Sequence, residues 1–216
     1  MIAIKITSLS AQSAGEEIKV SFEITGNSQS ERQNQSFVIS SKQYLVLGLT
    51  KGECGTQTYD EVSRAAEVWS AVKKAITLLG YGACSEKALR AKLISKGFDK
   101  QTAEEAVSEV AARGLIHAED DATREAQKLV SKLWGKKRIV AALYEKGYSA
   151  DAVSAAMYAL EDSGVDYVGN CRCLLEKRYG KIPSDTPSRQ KLFAAMQRYG
   201  YSIAEIKQAV DIRLRS

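Results

Sequence analysis

One pattern occurs three times in this chain. Leu89-x-x-x-Leu93-x-x-x-Gly97-Phe98 is followed by Ala103, Ala106 and Val107. Ile139-x-x-x-Leu143-x-x-x-Gly147-Tyr148 is followed by Val153, Ala156 and Met157, and Leu192-x-x-x-Met196-x-x-x-Gly200-Tyr201 by Ile206, Ala209 and Val210. The glycines recur at intervals of about 50 residues, in the range of tandem helical modules. Apolar residues four apart share one helix face. A glycine adopts the left-handed conformation without a Cβ penalty, so it can end a helix sharply. Asp99, Ser149 and Ser202 hold the same place in each repeat. There a side-chain oxygen can accept a bond from an orphan N–H of the next helix, and Ser202 with Glu205 makes a capping box. Each repeat therefore reads as helix, glycine, aromatic, cap, helix.

A further helix precedes each pair. The first is expected over Asp60–Leu79, opened by the capping-box pattern Thr58-Tyr59-Asp60-Glu61 and ending near Gly80–Gly82. Its stripe is Val62, Ala66, Trp69, Val72, Ile76 and Leu79, interrupted by Lys73. Ser85 is the expected cap of the helix that follows. The second upstream helix is expected over Ala122–Trp134, with Ala126, Leu129, Val130 and Leu133 inward. The third runs over Asp166–Tyr179, with Val168, Cys171, Leu174 and Leu175 inward. Leu115-Ile116 and Gly164-Val165 fall at the junctions. The expected fold is mainly α: three-helix repeats over 58–116, 117–165 and 166–216, in an elongated, curved array.

Residues 1–57 read as a small strand-rich extension. Ile2, Ile4 and Ile6 alternate with other residues, as do Ile18, Val20, Phe22 and Ile24. Ala14–Glu17 is the expected turn between them, Gly26-Asn27-Ser28-Gln29-Ser30 a loop, and Phe37-Val38-Ile39 a third short strand. Ser40 or Ser41 can cap a short helix through Leu47 that Gly48 stops. Two or three strands are marginal alone, so this piece should lean on the helices after it.

Several function classes are disfavoured. His117 is the single histidine, so a Ser-His-Asp or Cys-His arrangement would depend on it, and its place at a repeat junction suits an exposed linker. No P-loop or Gly-x-Gly-x-x-Gly pattern occurs. Cys171-x-Cys173 is not a zinc spacing, and the cysteines, with Cys54 and Cys84, read as reduced thiols. Glu119-Asp120-Asp121 suits a helix N-terminal dipole better than a cation. No run approaches the about 18 apolar residues of a membrane span, and the start lacks signal-peptide character. The expectation is a cytoplasmic, monomeric, non-enzymatic protein without cofactor or metal.

The net charge is +5, and its excess lies at the end: residues 167–216 hold ten basic and four acidic side chains. Arg172, Lys177, Arg178, Lys181, Arg189, Lys191 and Arg198 supply it, interleaved with Tyr179, Tyr199 and Tyr201. Lys136, Lys137 and Arg138 stand where a helix begins, which its dipole disfavours, so a partner explains them better than folding does. These residues, with Arg90, are the candidate partner contacts; a solvated basic face is the plain alternative.

These residues resemble the RecX family, bacterial regulators of the RecA recombinase. The most specific stretch is Arg178-Tyr179-Gly180, Pro187-Ser188-Arg189-Gln190-Lys191-Leu192-Phe193, and Gln197-Arg198-Tyr199-Gly200-Tyr201-Ser202 with Glu205-Ile206. The second is Ser85-Glu86-Lys87-Ala88-Leu89-Arg90-Ala91-Lys92-Leu93, ending in Lys96-Gly97-Phe98, and Gly114-Leu115-Ile116 matches a family junction. The resemblance covers about residues 60–213. In the middle repeat, Glu119-Asp120-Asp121 leads to Arg124-Glu125-Ala126 without the aromatic the family usually places before alanine. The resemblance implies binding in the helical groove of the RecA nucleoprotein filament. It further implies reduced filament extension, ATP hydrolysis and strand exchange, with roles in homologous recombination, DNA repair and the SOS response. Weak DNA contact is part of that expectation. The alternative is a direct DNA-binding protein with helix-turn-helix-like pairs, although the pairs in the first two repeats are charge-balanced.

Overall fold

The structure is a computed structural model that describes residues 3–26, 32–82 and 84–215. The chain divides into two compact units, Met1–Tyr81 with Leu89–Leu115, and Gly82–Ala88 with Ile116–Ser216.

In the first unit, strands β1 (Ala3–Gln12), β2 (Glu17–Thr25), β3 (Arg32–Ser40) and β4 (Gly52–Cys54) form an antiparallel sheet in the order β3-β2-β1-β4. A single 3-10 turn, Ser13–Gly15, joins β1 to β2, where the turn was expected. Alternation sets the face: Ile4, Ile6, Val20, Phe22 and Ile39 are buried together with Val62 and Ala65 of α2 (Thr56–Gly80). Phe22, Phe37 and Tyr59 add edge-to-face ring contacts at 5.1–5.9 Å. Between β3 and β4, α1 (Ser41–Leu47) is capped by Ser40 in a box with Gln43 and stopped by left-handed Gly48. Further along, α2 packs against α4 (Lys100–Ala112), so the sheet does lean on the helices.

Three local expectations change. Strand β3 has nine residues rather than three, because the polar stretch Arg32–Ser36 pairs with β2 through its backbone. Strand β4 pairs with Ile4–Ile6 but is too short to display alternation. Helix α2 opens at Thr56, with Gly55 as an N-cap that makes no side-chain bond. Tyr59, in the first turn of α2, packs its ring on Phe22 and Phe37 of the sheet, which outweighs a local cap worth about 1 kcal/mol. The buried face of α2 is Val62, Ala65, Val68, Trp69, Ala71, Val72 and Ala75, with Ile76 exposed, since it serves a sheet and a helix in turn. Ile2 and Asn27–Ser30 lie outside the described residues.

The repeated pair of module one is α3 (Glu86–Ser95) and α4; α3 begins in residues grouped with the second unit and ends in the first. In the second unit, α5 (Ala118–Ser131), α6 (Lys136–Glu145) and α7 (Ala150–Asp162) enclose one core. Helices α8 (Tyr167–Arg178), α9 (Thr186–Arg198) and α10 (Ile203–Arg215) enclose another. Leu89, Leu93, Ile139, Leu143, Leu192 and Met196 are at most 1% exposed. Gly97, Gly147 and Gly200 have φ of +98°, +84° and +95°. Asp99 accepts from the Gln101 and Thr102 N–H groups, Ser149 from Ala152, and Ser202 from Glu205, whose carboxylate accepts from Ser202 in return.

Helix α5 starts four residues earlier and ends three earlier than expected. Its first turn contains Glu119, Asp120 and Asp121, where carboxylates complement the dipole, and Asp121 is buried and paired with Arg124. Beyond the helix, Leu133 is left-handed (φ +58°) and its side chain packs on the third module's core instead of its own. That burial offsets the about 1–2 kcal/mol cost of the conformation.

Candidate partner interface

Four of the candidate residues, Lys136, Lys137, Arg138 and Arg178, lie at the seam between modules two and three. Here the start of α6 meets the Tyr199-Gly200-Tyr201 turn between α9 and α10. The Gly135 N–H donates to the Tyr199 carbonyl (2.8 Å) and the Lys137 N–H to the Gly200 carbonyl (3.1 Å). The Tyr201 hydroxyl donates to the Leu133 carbonyl (2.7 Å). Both glycines are buried and touch: a β-carbon on Gly135 would stand 2.5 Å from the Gly200 oxygen, and one on Gly200 2.5 Å from Arg138 Cβ. The glycine–aromatic turn, read from sequence as a helix stop, is thus also a docking element.

A second seam has the same plan. The Ser85 hydroxyl donates to the Lys146 carbonyl (2.5 Å), while its oxygen accepts from the Ala88 N–H. A β-carbon on Gly147 would stand 2.6 Å from Lys87 Cβ. Gly97, in the first repeat, would meet nothing within 4 Å; no earlier repeat exists in this sequence to dock against it.

Within this geometry Lys136 and Arg138 have side-chain partners in the fold, whereas the Lys137 side chain is exposed and makes no ion pair among the described residues. Orphan N–H groups at the positive end of α6 are met by carbonyls at the end of α9. Lys136 pairs with Glu161. The Arg138 guanidinium lies 3.8 Å from the Trp134 ring centre and 5.0 Å from that of Tyr199. Arg178 lies 4.7 Å from the Tyr199 centre. The four side chains Trp134, Arg138, Tyr199 and Arg178 therefore form one cation–π series. Sequence reasoning separated them into different motifs; the signal available was an arginine four residues after a tryptophan.

The remaining candidates are spread over the third module. Arg172 Nε lies 3.9 Å from Glu176, which also meets Arg213 at 3.5 Å. Arg213, missed at the sequence level, donates to the Tyr179 and Gly180 carbonyls (3.2 and 2.8 Å) and so ties the end of α8 to α10. Arg189 lines a groove of about 650 Å³ between α9 and α10 with Phe193, Ile203 and Lys207. Lys177, Lys181, Lys191 and Arg198 are exposed. Arg90 lies in the first unit, its Nε 3.7 Å from Glu104.

Burial pushes the Cys171 thiol up to about 12 and the Tyr148 hydroxyl likewise to about 12, so both stay protonated at neutral pH. His117 is exposed, precedes α5 and makes no side-chain cap. Among the described residues no helix is long and apolar enough to cross a membrane.

Tandem three-helix modules with a small N-terminal sheet define the class. Within it, the family model described as the first three-helix domain of RecX matches residues 71–109. Regulatory protein RecX of Xanthomonas axonopodis pv. citri is 32% identical over 148 residues, 66% of this chain and 87% of that protein. That of Stenotrophomonas maltophilia is 31% identical over 143 residues, 64% of this chain and 83% of that protein. A crystal structure of a regulatory protein RecX superposes with a TM-score of 0.73 at 17% identity, covering 96% of this chain and 99% of that one. RecX from Lactobacillus salivarius superposes at 0.56 with 20% identity, covering 68% and 97%. These structures speak for the fold, the first of them for the N-terminal sheet as well. The chain belongs to the RecX family of regulatory proteins.

Proposed function

We propose that this chain regulates the RecA recombinase by binding the RecA–DNA filament in its helical groove, limiting filament extension, ATP hydrolysis and strand exchange. The observation that carries this reading is the 32% identity to a protein named regulatory protein RecX across 87% of that protein. The surface chemistry fits. Lys177, Lys181, Lys191 and Arg198 are exposed and take part in no ion pair among the described residues. Such cations suit phosphate or carboxylate groups. Linked modules suit a repeating partner, since engagement of one raises the effective concentration of the next. The chain acts as a cytoplasmic monomer, without catalysis of its own, in recombination and DNA repair.

The test is a titration against duplex DNA, single-stranded DNA, and RecA assembled on single-stranded DNA with nucleotide, together with RecA ATPase and filament length. Tight binding to the filament, with micromolar or weaker, steeply salt-dependent binding to naked DNA, is expected. Equal affinity with and without RecA would instead favour direct DNA binding through the helical modules.

A further inference from the structure

The basic residues of the seam do not all face the same way chemically. Arg138 is half-buried, its guanidinium lies over the Trp134 and Tyr199 rings, and its Cβ lies against Gly200. Arg178 is exposed at the end of α8, touches only the Tyr199 ring among the aromatic side chains described, and makes no ion pair among the described residues. We infer that Arg138 is a positioning residue that locks module three onto module two, whereas Arg178 is the guanidinium of this cluster that meets the filament. The functional half of this inference rests on the filament reading; the seam does not.

The physical basis is the shape of arginine. A flat guanidinium lies on two rings at once and keeps its charge at every physiological pH. Lysine carries the same charge on a flexible stem and offers no planar face. The seam's hydrogen bonds come from backbone groups of Gly135, Lys137, Tyr199 and Gly200. They hold only while the two turns approach closely, and Arg138 clamps that approach from the side. The Arg178 guanidinium lies over Tyr199 and makes no ion pair among the described residues, so it is held in place before an anion arrives and less entropy is lost on binding.

The test uses the full chain carrying Trp69→Phe, which leaves Trp134 as the one remaining tryptophan of two. Arg138→Ala, Arg138→Lys, Gly135→Ala and Arg178→Ala are compared, with far-UV circular dichroism to establish folding. Gly135→Ala is neutral in charge and, at φ −79°, adds a methyl group without left-handed strain. Arg138→Ala, Arg138→Lys and Gly135→Ala should all shift Trp134 emission to the red. Each should raise the concentration for half-inhibition of RecA ATP hydrolysis by roughly tenfold. Arg178→Ala should weaken inhibition similarly with Trp134 emission unchanged. Wild-type inhibition by Arg138→Lys alongside loss in Arg138→Ala would make Arg138 a charge contact and overturn the inference. So would unshifted emission in Arg138→Ala. Full inhibition by Gly135→Ala with shifted emission would overturn the link between seam and regulation. A parent chain that leaves RecA untouched would remove the filament reading, while the emission series would still decide the seam.

Discussion

Gly97, Gly147 and Gly200 form an internal experiment on what a repeat glycine does. Their φ angles, +98°, +84° and +95°, are close, so an alanine at each carries a similar left-handed strain of about 1–2 kcal/mol. What differs is the neighbour. The new methyl group meets nothing within 4 Å at Gly97. At Gly147 it stands 2.6 Å from Lys87 Cβ, which is fixed to the α3 backbone, and 2.7 Å from Cδ, which can swing away. At Gly200 it stands 2.5 Å from Arg138 Cβ and 2.7 Å from the Gly135 carbonyl oxygen, which belongs to a docked helix start. Overpacking of that kind costs about 1–3 kcal/mol, and losing the Lys137-to-Gly200 hydrogen bond about 1 kcal/mol more. The expected series is about 1–2 kcal/mol for Gly97→Ala, about 2–5 for Gly147→Ala and about 3–6 for Gly200→Ala. Urea unfolding would be followed through Trp69 for the first unit and Trp134 for the second, because two compact units need not unfold as one. Equal destabilisation at all three positions would refute the docking argument and leave only the turn.

Leu143→Ala removes a fully buried side chain from the core of module two and should cost about 2–5 kcal/mol in the urea transition reported by Trp134. Trp69→Phe removes the indole donor to Glu17 (2.8 Å) and should cost the first unit about 1 kcal/mol by the same method, followed by circular dichroism. Acid should weaken the first unit before the second, where the lowered carboxyl of Asp185 belongs to an exposed cap that bonds Ser188. The Glu17 carboxyl is held below the ordinary range by hydrogen bonds from Lys73 and then Trp69, and that of Glu109 by Lys42 and then Arg113. The folded chain binds these protons less readily than the unfolded chain. Their contribution is therefore present above about pH 4.3 and lost as pH falls through the folded-state values. Trp69 emission should change at a higher pH than Trp134 emission during acid titration; the reverse order would count against these pairs.

Local rules carried most of the fold. The caps at Ser40, Asp99, Ser149 and Ser202 and the stops at Gly48, Gly97, Gly147 and Gly200 depend on a few neighbouring atoms, and those neighbours are adjacent in sequence. The buried pairs Leu89/Leu93, Ile139/Leu143 and Leu192/Met196 followed from a helical period. The misses share a cause. Strand β4, the first turn of α2 and the displaced Leu133 are each held by a partner far along the chain. For the interface, the basic residues of the third module were legible as a composition, but the cation–π series that joins Arg138 to Arg178 through Tyr199 was not.

The sequence alone therefore determined the repeated helix pairs, their caps and glycine stops and the apolar face each pair buries, since those depend on capping and period within one turn or two. Only the tertiary structure decided how modules two and three join, and with it the role of each cation there. Gly135 and Gly200 are 65 positions apart, and nothing local marks that the absence of two β-carbons lets their backbones meet. The same charge on Arg138 and Arg178 reads identically in sequence; contact with two rings rather than one, and partial burial, separate a clamp from an open donor.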